Sequence, residues 1–159
     1  MRSWAPVGQP PVIQYSFHWA QLSAIAGITF WRFYFRFFPG AIRTAQLLEF
    51  LKALRAQIRG RLLIIWDRLN VHRSRLVREW VEAQEGAVQL EFLPAYAPEL
   101  NPVEGIWNHL KNHRVGKQSI AGPDHLKHMV LSHLRRMQKL PYLVRSFFGM
   151  PETVYAANQ

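Results

Sequence analysis

The sequence predicts a mixed α/β sandwich with helices packed on a sheet. Three observations carry this expectation. The apolar period switches along the chain between alternation and three- or four-residue steps. An unbroken apolar run, Leu62-Leu63-Ile64-Ile65-Trp66, stops abruptly at Asp67. The 159 residues are 49% hydrophobic and 19% charged, which suits one domain (residues 1–159) with a real core and argues against disorder.

Residues 1–15 are rich in Pro and Gly and read as an irregular leader. Leu22–Phe30 and Arg32–Phe38 carry Ile, Thr, Phe and Tyr, which suit strands. In the second, Phe33, Phe35 and Phe37 share one face, and Arg32, Tyr34 and Arg36 share the other. Pro39-Gly40 ends it. From Ala45 to Arg59 the apolar residues Leu47, Leu51, Leu54 and Ile58 recur at helical spacing, with Thr44 as the expected N-cap and Gly60 as the stop. The run Leu62–Trp66 does not alternate, so it predicts a strand buried on both faces. Ser74 can cap a helix bearing Leu76, Val77, Trp80 and Val81, which Gly86 ends. Val88, Leu90 and Phe92 alternate as another strand, and a loop with Pro94, Pro98 and Pro102 follows. Two helices close the chain, from Pro102 to about His113 and from Pro123 to about Leu140. The second belongs to a C-terminal helical extension over residues 115–159.

Lys and Arg number 20 against 10 Asp and Glu, a formal charge of +10. That excess favours a polyanionic partner, with nucleic acid first and an anionic membrane surface second. Cysteine is absent, which excludes disulfide frameworks, thiolate zinc sites and thiol nucleophiles. The uncharged stretch between Arg2 and Arg32 fails as a membrane span. Pro6, Gly8, Pro10 and Pro11 break it early, and Leu22–Trp31 is shorter than the ~20 residues a span needs. The chain therefore reads as soluble and intracellular.

Acidic residues are scarce, and Asp67 and Asp124 are the two aspartates. Asp67 follows the most apolar strand, at the sheet edge where α/β folds bind ligands. It could equally cap the turn after it. Glu104 has a similar alternative, because Asn101, Pro102 and Glu104 have the spacing of a helix capping box. Glu49 lies mid-helix, with Lys52 one turn on, and reads as a solvated charge.

The segments Ile65-Trp66-Asp67-Arg68-Leu69-Asn70-Val71-His72-Arg73-Ser74 and Leu93-Pro94-Ala95-Tyr96-Ala97-Pro98-Glu99-Leu100-Asn101-Pro102-Val103-Glu104-Gly105-Ile106-Trp107 resemble the two signature blocks of the DDE-superfamily transposases. The likeness is to the insertion-sequence branch related to mariner elements, and the leader Arg2–Pro11 shares it. This resemblance implies a ribonuclease-H-like mixed sheet flanked by helices. It implies Asp67 and Glu104 as catalytic, metal-binding carboxylates, Mg²⁺ or Mn²⁺ as cofactor, and metal-dependent DNA cleavage and strand transfer as the activity. It also implies transposon-end and target DNA as partners, and a cytoplasmic, nucleoid-associated location in a prokaryote. Phosphodiester chemistry suits such a site, because a cation pair can activate the nucleophile and stabilise the leaving oxygen.

In the family a first catalytic Asp lies on a strand upstream of the Trp4-Ala5-Pro6 leader. The expectation is therefore a domain whose first strand is missing, catalytically dead alone or completed by a separately made N-terminal transposase segment, with a homodimer as the other partner expectation. A different class of function stands beside it: a catalytically inactive, DNA-binding remnant that pairs with or regulates an intact transposase. Arg68, His72, Arg73, Lys111 and Arg114 are candidate nucleic-acid contacts, with Lys127, Arg135, Arg136 and Lys139 as a possible extension. The case rests on their sum, since phosphate binding scales with the number of charges neutralised. His72 has three readings: it orients a carboxylate, meets DNA, or simply precedes a helix. His109 with His113, and His125 with His128, have helical spacing for metal but lack a recognised third ligand. Trp4, Trp66, Trp80 and Trp107 read as core packing.

Overall fold

The computed structural model describes residues 22–113, 120–149 and 151. The leader and Trp4 lie outside them. The element order is β1 (Leu22–Ile28), β2 (Phe33–Pro39), α1 (Thr44–Gln57), β3 (Leu62–Trp66), α2 (Arg75–Glu82), β4 (Val88–Phe92), α3 (Pro102–His113), α4 (Pro123–Gln138) and α5 (Pro141–Ser146). Single 3₁₀ turns at Asn70–Arg73 and Pro98–Leu100 precede α2 and α3. The architecture is mixed α/β.

β1 and β2 form an antiparallel hairpin in which Ile28 faces Phe33 and Ala24 faces Phe37. Thr29 closes its turn, donating its N–H to Arg32 O at 2.8 Å and accepting the Arg32 N–H on Oγ1 at 3.1 Å. The alternation of β2 divides the core as its sequence predicts. Phe33, Phe35 and Phe37 pack with Ile106, Leu110, Leu134, Met137 and Val144 of α3, α4 and α5. On the opposite face, Ile25 and Tyr34 pack with Leu47, Phe50, Leu51 and Leu54 of α1. Gly27 sits beneath Phe50 and Leu54, where an added Cβ would meet their side chains at 3.7–3.8 Å.

β3 and β4 form a parallel pair, Leu62 beside Val88 and Trp66 beside Phe92, with α2 as the crossover. Ser74 caps α2 as expected, accepting the Val77 N–H at 3.4 Å. The single mixed sheet expected from the sequence is, among the described residues, two separate two-stranded sheets. The expectation that β3 is buried on both faces is also corrected. Ile64 and Trp66 face the α1–α2 core, but Leu63 and Ile65 are 50% and 43% exposed. Continuous hydrophobicity reports what a strand can bury, not what covers it.

Smaller corrections have local causes. α1 is capped at Arg43, not Thr44, because the Gln46 side chain accepts the Arg43 N–H at 3.1 Å. Glu49 is not a free helix charge: it pairs with Arg36, which shares the α1-facing side of β2 with Tyr34. α4 stops at Gln138, and the short helix α5 begins at Pro141, a residue suited to a first helical turn. Among the described residues no helix is long and apolar enough to cross a membrane.

The packing makes a quantitative expectation. Leu51 is 1% exposed, so Leu51→Ala should cost about 2–5 kcal/mol in urea denaturation. Leu63→Ala, on the open face of β3, should cost clearly less; equal losses would show that face to be covered in solution.

Candidate active site

β3 delivers Asp67 to the end of the parallel pair, where the backbone leaves the sheet. The Asp67 carboxylate is held by two donors on one oxygen. Leu69 N–H donates to Oδ1 at 3.1 Å, a local turn of the kind Asp favours, and His72 Nδ1 lies 2.8 Å from the same Oδ1. Nδ1 also lies 3.0 Å from the Asp67 main-chain oxygen. Both neighbours are acceptors, so Nδ1 carries the proton and the ring donates to both. The His72 side chain is 13% exposed and the Asp67 side chain 46%. The imidazole lies flat on Trp66, with centroids 4.3 Å apart and planes 1° from parallel.

Glu104 approaches from the first turn of α3. Asn101 caps this helix by accepting the Val103 N–H on Oδ1 at 3.1 Å. In a capping box the Glu104 side chain would return to the Asn101 N–H. That N–H is already donated to Pro98 O at 2.9 Å, within the preceding 3₁₀ turn. The cap is made without the Glu104 carboxylate, which leaves that group available for other work.

Asp67 and Glu104 line one cavity of about 440 Å³, together with His72, Val103 and Trp107. The cavity continues between the sheets. Residues 24–28 of β1 and 62–66 of β3 line it consecutively, not alternately, so it meets both strands edge-on. The other edges of β1 and β3 are paired to β2 and β4. Thr29, after β1, shares a depression with Gln57, Ile58 and Arg59, just before β3, so the two strands run antiparallel. Asp67 therefore lies at the end of the cavity opposite the hairpin turn.

The donor set suits a hard, oxygen-preferring cation. Oδ2 of Asp67 is the oxygen not engaged by the Leu69 and His72 donors, and Glu104 adds a second carboxylate. Mg²⁺ and Mn²⁺ accept a few carboxylates and retain waters. Among the described residues no group of three or more His, Cys, Asp or Glu could hold a metal. The histidine zinc reading thus finds no support there: His109 stacks with His113 and His133, and His125 Nδ1 accepts the Ala121 N–H at 3.1 Å.

The candidate nucleic-acid residues are dispersed. Arg68 donates from Nε to Leu93 O at 3.2 Å, which ties the Asp67 loop to the end of β4. Arg73 and Lys111 are exposed, on the 3₁₀ turn and on α3 respectively, and Arg114 lies outside the described residues. Lys127, Arg135, Arg136 and Lys139 are exposed along α4 and its end. Trp66 is buried, and Trp80 and Trp107 are half-buried against the two cores.

Comparison with known proteins adds two findings. The family model described as "DDE superfamily endonuclease" matches residues 1–127. The crystal structure of the Mos1 strand transfer complex is similar in fold, with 18% sequence identity and a TM-score of 0.55. The match covers 92% of this chain and 49% of that one, so this chain spans about half its length. No curated protein matches the sequence.

The cap geometry separates the roles of Asn101 and Glu104. Asn101→Ala should lower thermal stability by about 1 kcal/mol through loss of the cap. Glu104→Ala, which removes any capping acceptor, should cost clearly less, and an equal loss in both would return Glu104 to a capping role.

Proposed function

The chain belongs to the DDE superfamily endonucleases, and from that premise we propose that it is a transposase catalytic domain of ribonuclease-H-like fold that cleaves and joins DNA strands. One observation carries the proposal: Asp67 and Glu104 line the same cavity, Asp67 keeps Oδ2 outside its local hydrogen bonds, and the α3 cap is made without the Glu104 carboxylate. Asp67 Oδ2 and the Glu104 carboxylate would hold Mg²⁺ or Mn²⁺. Bound there, the cation supplies Lewis-acid activation and offsets phosphate charge. The chain's own part is positional. The Asp67–Ser74 loop presents one carboxylate from a strand end, and the Asn101 cap presents the other from a helix start. Arg73 and Lys111 give the DNA backbone cationic partners, with Arg114 assigned the same role from the sequence.

The site takes its remaining element from a segment beyond the described residues. An extended segment between β1 and β3 would find unpaired backbone N–H and C=O groups on both sides. Because β1 and β3 are antiparallel, it would run parallel to one and antiparallel to the other. One of its ends would reach Asp67, where a further carboxylate would complete the ligand set. An N-terminal transposase segment is the proposed donor, and a homodimer is the other proposed partnership.

A second reading has its own support. Among the described residues no three His, Cys, Asp or Glu side chains are grouped so as to hold a metal, which suits a DNA-binding remnant that pairs with or regulates an intact transposase. Cleavage assays separate the two. In Mg²⁺ or Mn²⁺, nicking of transposon-end DNA that Asp67→Asn and Glu104→Gln both abolish supports the catalytic reading. Binding without nicking, even with the N-terminal segment added, supports the remnant.

DNA affinity should respond differently to the two classes of residue. Asp67→Asn should leave salt-sensitive DNA binding nearly intact. Arg73→Ala and Lys111→Ala should each weaken binding across sequences and reduce the slope of log K against log salt by about one. An unchanged slope would remove these two side chains from the DNA surface.

A further inference from the structure

We propose that His72 is a positioning residue that sets which oxygen of Asp67 meets a divalent cation. The inference rests on Asp67 being a cation ligand and deepens that reading. Three observations converge on it. The Nδ1–H is aimed at two acceptors of a single residue, the Oδ1 and the main-chain oxygen of Asp67. The ring cannot swing away easily, because it lies flat against Trp66, which is itself 7% exposed. Oδ1 also takes the Leu69 N–H, so two donors converge on one oxygen and orient the carboxylate about its χ2 axis.

With Oδ1 occupied, Oδ2 is the oxygen left for a cation. Without His72, the Leu69 N–H alone would have to hold the carboxylate. Rotation about χ2 is soft, so the two oxygens would exchange between the backbone donor and the cavity. Partners that orient a ligand in this way typically change metal affinity by about 10–100-fold when removed. The same geometry decides among the three readings of His72. A ring that is 13% exposed, flat on an indole and donating to Asp67 is poorly placed to meet DNA, and it does more than precede a helix.

The test uses the full chain and Mn²⁺ alone, with free Mn²⁺ followed by its paramagnetic resonance signal and folding followed by thermal melting without metal. His72→Ala should weaken Mn²⁺ binding by about 10–100-fold. His72→Asn, whose amide nitrogen can occupy the place of Nδ1, should recover most of the affinity. His72→Gln, whose amide falls nearer the place of Nε2, should not. A purely structural His72 predicts another pattern: Asn and Gln would lower affinity alike, in step with their melting temperatures, and that outcome would overturn the inference. Wild-type affinity in His72→Ala, with binding lost in Asp67→Asn, would also overturn it while leaving Asp67 as a ligand. Retained binding in Asp67→Asn would instead remove the ligand reading on which this one stands.

Discussion

The chain from Asp67 to Ser74 is organised around one half-exposed carboxylate, whose Oδ1 collects the local donors. The Leu69 N–H and the His72 ring both serve Asp67 Oδ1. The His72 N–H returns to Leu69 O at 2.9 Å, and the Ser74 N–H reaches Val71 O at 3.4 Å, so the loop closes through its own backbone. Ser74 then caps α2. Each bond is local, but their common floor is not. Trp66 belongs to the α1–α2 core, and the imidazole takes its orientation from that indole. The site is thus coupled to the packing behind it.

The same strand poses a second problem. β3 is apolar throughout, yet helix α1 covers only the face carrying Ile64 and Trp66. Leu63 and Ile65 on its other face stay largely open, and its free edge looks across the cavity at β1. Parallel sheets usually have both faces covered, because their strands cannot otherwise bury their side chains. Open backbone edges also invite pairing. The open edge, not the open face, borders the space in which the proposed segment would pair. That is also the space on which Asp67 and Glu104 open.

The basic excess lies largely on the surface. Some acidic side chains are already engaged, as in Arg36 with Glu49 and Arg75 with Glu79 at 3.3 Å. Much of the basic excess remains on exposed turns and helices: Arg73, Lys111 and the row on α4. A surface of this kind attracts a phosphate backbone without selecting a sequence.

Much of this was legible in local sequence. The 2.0 period put Phe33, Phe35 and Phe37 on one face of β2, and Ser74 and Asn101 were readable as caps because capping is decided within three residues. Asp67 after Trp66, and Glu104 in the opening turn of α3, were placed by the same short-range logic. What sequence left open depended on partners far along the chain or on competition for one group. Glu49 meets Arg36 only when α1 lies on the hairpin. Glu104 is released from its cap because Pro98 O takes the Asn101 N–H first. The facing edges of β1 and β3 arise from lateral placement, which no residue pattern within either strand encodes. By itself, the sequence determined the principal elements, the alternation of β2 and the carboxylates at the end of β3 and the start of α3. Tertiary structure decided that those carboxylates share a cavity, which oxygen of Asp67 is left for a ligand, and that the sheet is divided. Such relations exist only between segments that folding brings side by side.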